Sequence, residues 1–460
     1  MRKTLLLLMA AALALSAAAP KIDIPIEKYQ LSNGLRVVLS RDNTLPVVTV
    51  YVVYDVGARS EERGRTGFAH LFEHMMFEGS ANIKKGEHMK YVESNGGNFN
   101  GSTHPDYTNY FETLPSNKLA LALWLESDRM RTLAVTPENL ANQKEAVKQE
   151  RRLSFDNQPY SAAIIDVWPG LVFQNWQSSH SLIGSFEDLN AATIQDVTKF
   201  FKTHYAPNNA VLTVVGDIQT ADAKKLVEDY FRDIPAQPQP ERPDLSEPQP
   251  LKPRTVLYKD KLAKVPAIVV GYLGPRRNSE NFYALNLLDA LLTEGDSSRL
   301  QLDLVKGKKS VVQYEASLGW PFASGEDYKD PGSYATFLVY KANFSADQIA
   351  DQYQDEISKI QNMGVTVADL DRARTLLLAG KLKDLQTCFG RARLLANFEL
   401  LDHAPEEINT LLDHYAAVTP SQVQAVAKSY LNANQRVALS IQPESAGSPS
   451  AGVPPAEGDK

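Results

Sequence analysis

The sequence predicts a chain of two similar units, each mixing strands with helices, joined by a proline-rich linker. Three observations carry this. At 460 residues the chain exceeds what one hydrophobic core usually serves, so two or three domains are expected. Seven of the nineteen residues from Pro235 to Pro253 are proline, which neither a helix interior nor a central strand accepts, so the stretch reads as an extended linker. The chain also repeats itself across that linker. FAHLFEHMMFEG (68–79) aligns without gaps on ALNLLDALLTEG (284–295) at an offset of 216, and TIQDVTKFFKTHYAPNNAVL (193–212) aligns on TPSQVQAVAKSYLNANQRVA (419–438) at an offset of 226.

Composition excludes some classes. Apolar residues make up 43% and charged residues 22%, as in an ordinary globular protein, and a net charge of −7 leaves no basic footprint for nucleic acid. Cys388 is the only cysteine, so no disulfide can form within the chain, and its setting suggests a buried thiol. Residues 1–19 read as a secretory signal peptide: Arg2 and Lys3, an apolar run from Leu5 to Leu15, then small residues, with cleavage expected after Ala18. That run is shorter than the ~20 residues of a spanning helix, so no stable membrane anchor is expected and the mature chain is placed in a bacterial periplasm.

The elements follow in order. Leu31 to Ser40 reads as a hairpin turning at Asn33-Gly34, and Pro46 to Val56 as a strand. Thr66 to Ser80 is a largely apolar helix carrying His70, Glu73 and His74. A helical segment (86–94), a Gly96-Gly97 turn, an extended run from Asn98 to His104 and a partner strand from Tyr107 to Leu114 come next. Helices are expected at 118–130, 137–153 and 193–204, the last capped by Thr193, and a strand at 209–215 closes the first unit. Past the linker, a strand after Pro266, a helix ending TEGDSSRL and a strand at 334–340 repeat that order. The expected partition is 20–234, 254–442 and a disordered tail, 443–460, rich in Pro, Gly, Ser and Ala.

Ionisable groups on an apolar helix need a reason. Histidines four apart lie one turn above each other, so His70 and His74 can offer nitrogens to one ion. Glu73 stands close to that ion yet off the line joining the ligands, where it can take a proton from water that the metal acidifies. The helix from Pro137 offers Glu145 and Glu150 as a third ligand. Leu140, Gln143, Val147 and Glu150 form one inward stripe, whereas Glu145 lies about 140° around the axis on the charged side, so Glu150 is the better ligand. In the second unit Asn286, Asp289 and Ala290 occupy the equivalent places, so the chemistry belongs to the first.

HLFEH, followed by the Glu150 of AVKQERR, resembles the pitrilysin or insulysin-like zinc peptidases, the inverted-motif M16 class. GGNFNGSTHPDYTNYF and GDSSRL are similar to further segments of that family. The resemblance implies an α+β fold of two homologous units, each an antiparallel β-sheet packed with helices, enclosing a cavity. It implies one Zn2+ per chain, held by His70, His74 and Glu150, with Glu73 catalytic. It implies substrate peptide adding as a strand along Asn98, Phe99, Asn100, Gly101, Ser102 and Thr103. Family members often carry a supporting Glu where this chain has Gln143. Active members use an Arg and, seven residues on, a Tyr in the second unit, and here Val305 and Val312 stand at those places. Some relatives divide the work between two chains. This sequence is similar to the zinc-bearing one, so a hetero-oligomer with a homologous Arg/Tyr-bearing subunit is expected. A non-catalytic, zinc-stabilised assembly or peptide-binding subunit is the competing expectation, and the intact Glu73 argues against it, since a purely structural site needs no base.

Overall fold

The computed structural model describes residues 22–247, 250–322 and 324–444. The expected signal peptide and residues 445–460 of the expected tail lie outside them. Among the described residues the chain forms two sheets. The first holds β1 (Glu27–Gln30), β2 (Arg36–Arg41), β3 (Val47–Tyr54), β4 (Asn98–Thr103), β5 (Thr108–Pro115) and β6 (Ala210–Gly216), in the order β1-β2-β6-β3-β5-β4. The second holds β7 (Arg254–Asp260), β8 (Ala267–Leu273), β9 (Val311–Leu318), β10 (Ser333–Tyr340) and β11 (Val437–Pro443), in the order β7-β11-β8-β10-β9. Strand for strand, β2-β6-β3-β5-β4 and β7-β11-β8-β10-β9 share one topology, so the repeat in sequence is a repeat in architecture.

Each sheet is antiparallel except for one pair, β2 with β6 and β7 with β11. The physical reason is the return path. The last strand of each unit arrives through a helix, Ile194–His204 or Pro420–Tyr430, and a helical crossover lets it lie parallel to β2 in the first unit and to β7 in the second. Both helices start on the same device, Thr193 and Thr419 each capping in a capping box. The hairpin expected at Leu31–Ser40 is centred as read, but its first strand lies upstream in β1, and Gly34 takes a φ of +87° that only glycine adopts without strain. Pro443, expected to open the tail, ends β11 instead.

Helices α1 (Phe68–Met75), α2 (Glu87–Ser94), α3 (Leu119–Thr132) and α4 (Pro137–Arg151) pack on the first unit. The central strand β3, VVTVYVVY, is buried along almost its whole length rather than on alternate residues, so both of its faces are covered. The second cover comes from across the linker. Helix Cys388–Asn397 lies on β3 and β6, and its Phe389 meets Phe111 of the adjoining β5 at 4.4 Å between ring centroids. The first unit returns the arrangement: Trp168, between the turn Ala163–Val167 and helix Pro169–Val172, is fully buried against the second sheet. A Cβ on Gly271 of β8 would sit 2.6 Å from the Trp168 ring, so the absence of a side chain there admits the indole.

Residues 235–253 contain no helix or strand among those described, and they run against the first unit. Gln237 N donates to Asn208 Oδ1 at 3.0 Å, and Arg242 pairs with Asp55.

Candidate metal centre

α1 begins at Gly67, in the left-handed region at φ 83° and pressed against Gly184. Its first free N–H groups find a carboxylate: Gly67 N and Ala69 N donate to Glu61 at 2.9 and 2.8 Å. His180 Nε2 lies 3.0 Å from the same carboxylate. Glu61 went unread in the sequence because it precedes the helix by several residues and resembles no side-chain cap in spacing.

From that anchored start, His70 and His74 point toward α4, their ring centroids 4.8 Å apart. α4 is set by the Thr136 cap and Pro137 in its first turn, and it presents Glu150 on the face shared with Leu140, Gln143 and Val147. Glu150 Oε2 stands 3.1 Å from His74 Nε2 and 3.6 Å from His70 Nε2. Donors at zinc distances of 2.0–2.2 Å and tetrahedral angles stand roughly 3.3–3.5 Å apart, so two imidazole nitrogens and one carboxylate at this spacing fit a zinc ion and leave a fourth position open. Glu145 takes no part; it is exposed and paired with Lys148.

The electrostatics suit His70 to ligation. Burial, helped by neighbouring His74, takes His70 down to about 4, so its ring is neutral and offers a lone pair. Burial would also lower His74, but the Glu150 hydrogen bond and charge outweigh it and raise that ring. His74 Nδ1 faces Gln143 Oε1 at 3.3 Å, while Gln143 Nε2 donates to Glu78 Oε1 at 2.7 Å. Because Glu78 only accepts, the Gln143 amide must turn its oxygen to His74, which fixes the Nδ1–H tautomer and leaves Nε2 free for an ion.

Glu73 is not among the converging donors. Its Oε2 accepts from Thr103 Oγ1 of β4 at 2.7 Å. Burial raises its pKa against that hydrogen bond, the direction a general base near neutral pH requires. Gly101 matters here for space: a Cβ on it would meet Glu73 Cγ at 3.1 Å.

β4 is an edge strand, paired only with β5. Asn98 and Asn100 are exposed, and Asn100 Oδ1 accepts from Gly101 N at 2.9 Å. The Phe99 ring packs on Phe77 at 5.5 Å, so this residue has only backbone to offer a peptide. Ser102 Oγ donates to Asn109 Oδ1 at 2.7 Å. Beside His70, Glu73 and Glu150 opens a cavity of about 210 Å³, whose far wall includes Phe322 of the second unit.

The residues read at the Arg and Tyr places of the second unit have other surroundings. Val305 packs on the core, Val312 is exposed on β9, and Tyr314 Oη is engaged with Ser298 Oγ at 2.9 Å and the Thr293 carbonyl at 3.2 Å. Asp289, the counterpart of Glu73, is half-buried and accepts from Tyr334 Oη at 3.0 Å. A second group with metal-ligand spacing, His88, Glu112 and Glu126, is fully buried. There Arg129 already supplies the positive charge, its Nε donating to Glu126 at 3.0 Å, so the group reads as a structural ion network.

Residues 36–184, which carry all four groups, match the model described as Insulinase (Peptidase family M16), and residues 191–377 match Peptidase M16 inactive domain. The chain belongs to peptidase family M16. The zinc protease PqqE of Helicobacter pylori is 27% identical over 428 residues, 91% of this chain and 93% of that one. The crystal structure of a protease from Helicobacter pylori superposes with a TM-score of 0.85 at 26% identity, covering 91% of this chain and all of the other. The probable mitochondrial-processing peptidase subunit beta of Schizosaccharomyces pombe is 22% identical over 78% of this chain and 79% of its own. The inactive-domain match covers Asn286, Asp289 and Ala290, which stand where the first unit has His70, Glu73 and His74.

Proposed function

We propose that the chain is a zinc-dependent endopeptidase subunit that hydrolyses unfolded or extended peptides. One observation carries the reading: His70, His74 and Glu150 converge while Glu73, beside them, is held by Thr103 outside the donor set. His70, His74 and Glu150 would hold a zinc ion, which would supply Lewis acidity to the scissile carbonyl and to the attacking water. Glu73 takes that water's proton and returns it to the leaving amine, and the free edge of β4 aligns the peptide backbone as an added strand. Glu73→Gln is expected to keep zinc, by metal analysis of the purified protein, and to lose peptide cleavage by at least about a hundredfold. Turnover retained in that variant would sink the assignment.

The same reading makes the chain one member of a pair. Its support is the absence of Arg and Tyr at positions 305 and 312, together with a relative named as a subunit of a processing peptidase. Missing transition-state donors typically cost on the order of a hundredfold or more. Cleavage by the purified chain is therefore expected to rise by that order when an Arg/Tyr-bearing homologue from the same cell is added. Residues 1–19 direct export to the periplasm, which cell fractionation would test.

A further inference from the structure

The two sheets differ at one point of their shared topology. In the first unit β4 and β5 are joined by four residues, 104–107, whereas the equivalent β9 and β10 are joined by fourteen, 319–332. The longer connection crosses to the first unit and is fastened there. Tyr107 Oη donates to Asp327 Oδ1 at 2.6 Å, Lys329 N donates to Asp106 Oδ2 at 2.6 Å, and Arg59 Nη2 donates to the Pro331 carbonyl at 3.0 Å. The Arg59 guanidinium also lies over the Tyr328 ring at 4.7 Å. Asp106 and Tyr107 belong to the short turn that directly follows Thr103, so the fastening point adjoins the strand that holds Glu73.

Phe322 stands at the near end of this connection. It packs on the first unit's core and enters the cavity beside His70, Glu73 and Glu150. With Phe155, Ile165, Leu182 and Ile183 it makes the wall of that cavity apolar. A dry cavity of about 150 Å³ admits a benzene ring, so about 210 Å³ has room for one phenyl-sized side chain and little more. We infer that Phe322, delivered by the second unit of the same chain, is a specificity-determining residue that limits the size of the substrate side chain next to the cleaved bond. The inference rests on the peptidase reading above. It gives the ligand-free unit a role in selection, and the Lys329–Asp106 and Tyr107–Asp327 contacts position the wall.

The test is a peptide library varied at single positions. It is digested by the zinc-loaded mature chain together with any homologous chain that co-purifies with it, and cleavage sites are read by mass spectrometry. Phe322→Ala is expected to raise cleavage beside Trp relative to Leu by about tenfold, and Phe322→Trp to lower cleavage beside Phe relative to Ala by a similar factor. A library left intact by the wild-type protein would overturn the peptidase reading itself. Cleavage by the wild type with side-chain ratios unchanged in both variants, including a uniform loss of rate, would overturn the role of Phe322 alone. The same peptides, bound to the zinc-loaded Glu73→Gln protein with and without Phe322→Ala, give the ratio by fluorescence anisotropy without turnover, and an unchanged ratio there counts equally against it.

Discussion

Gln143 shows how much one neutral side chain can do at a candidate metal centre. It carries no charge, yet it links Glu78 to His74, and Lys85 balances Glu78 at 2.6 Å. Gln143→Ala removes the acceptor at His74 Nδ1 and frees the ring to rotate, so zinc affinity is expected to fall by about 10–100-fold, measured by competition with a chromophoric chelator. Asp289 is the opposite case, a carboxyl kept at the place of Glu73 without its function. Burial pushes it up to about 7. Between its ordinary value of 3.8 and about 7 the folded state holds a proton that the unfolded state has released, so its contribution to stability falls as pH rises through that window and is level above it. Asp289→Asn keeps an oxygen for Tyr334 and removes the titration. It is expected to be more stable than the parent at pH 8, by up to a few kcal/mol, with the difference closing toward pH 4 in urea denaturation curves.

Among the elements, α1, α4, β3 and β4 were legible because each carries a strong local signal. The i, i+3, i+4 spacing of α1 and the inward stripe of α4 bring the donors together without any knowledge of the rest of the chain. β7, β9 and the helix Thr220–Phe231 went unread. RTVLYKD and VVQYEASL lie on sheet edges, where exposed charged residues dilute the alternation that marks a strand. The exchanged covers were also invisible, since Trp168 over Gly271 and Phe389 over Phe111 join residues far apart in sequence, and no local pattern records such a pairing. Phe322 shares that difficulty: its role follows from a loop length and a fastening point that only the folded chain reveals. The exchange has a measurable consequence at this scale. Trp168→Ala empties a fully buried site between the units and is expected to cost about 3–5 kcal/mol in chemical denaturation, although Trp168 lies on neither α1 nor α4.

For the molecule as a whole, the exchange decides whether the linker separates independent bodies. Tyr51, Val53, Val211 and Val215 of the first sheet share one core with Leu394, Leu395 and Phe398 from beyond the linker. A chain ending at residue 234 would keep His70, Glu73, His74 and Glu150, and with them every donor named here. It would also expose the β3–β6 face that helix Cys388–Asn397 covers, and it would leave Trp168 without the sheet it fills. Apolar surface on that scale is not stable in water, and a core that loses one of its two layers has no second layer to close it. The truncated chain is therefore expected to bind an apolar dye, to lack a cooperative thermal transition and to hold zinc far more weakly than the full chain. The intact protein should unfold in one transition that far-UV circular dichroism and tryptophan fluorescence report together. Cooperative unfolding of the 1–234 piece, with zinc affinity equal to that of the full chain, would mean that the two units are separable bodies and that the exchanged helices add contact without being required for either fold.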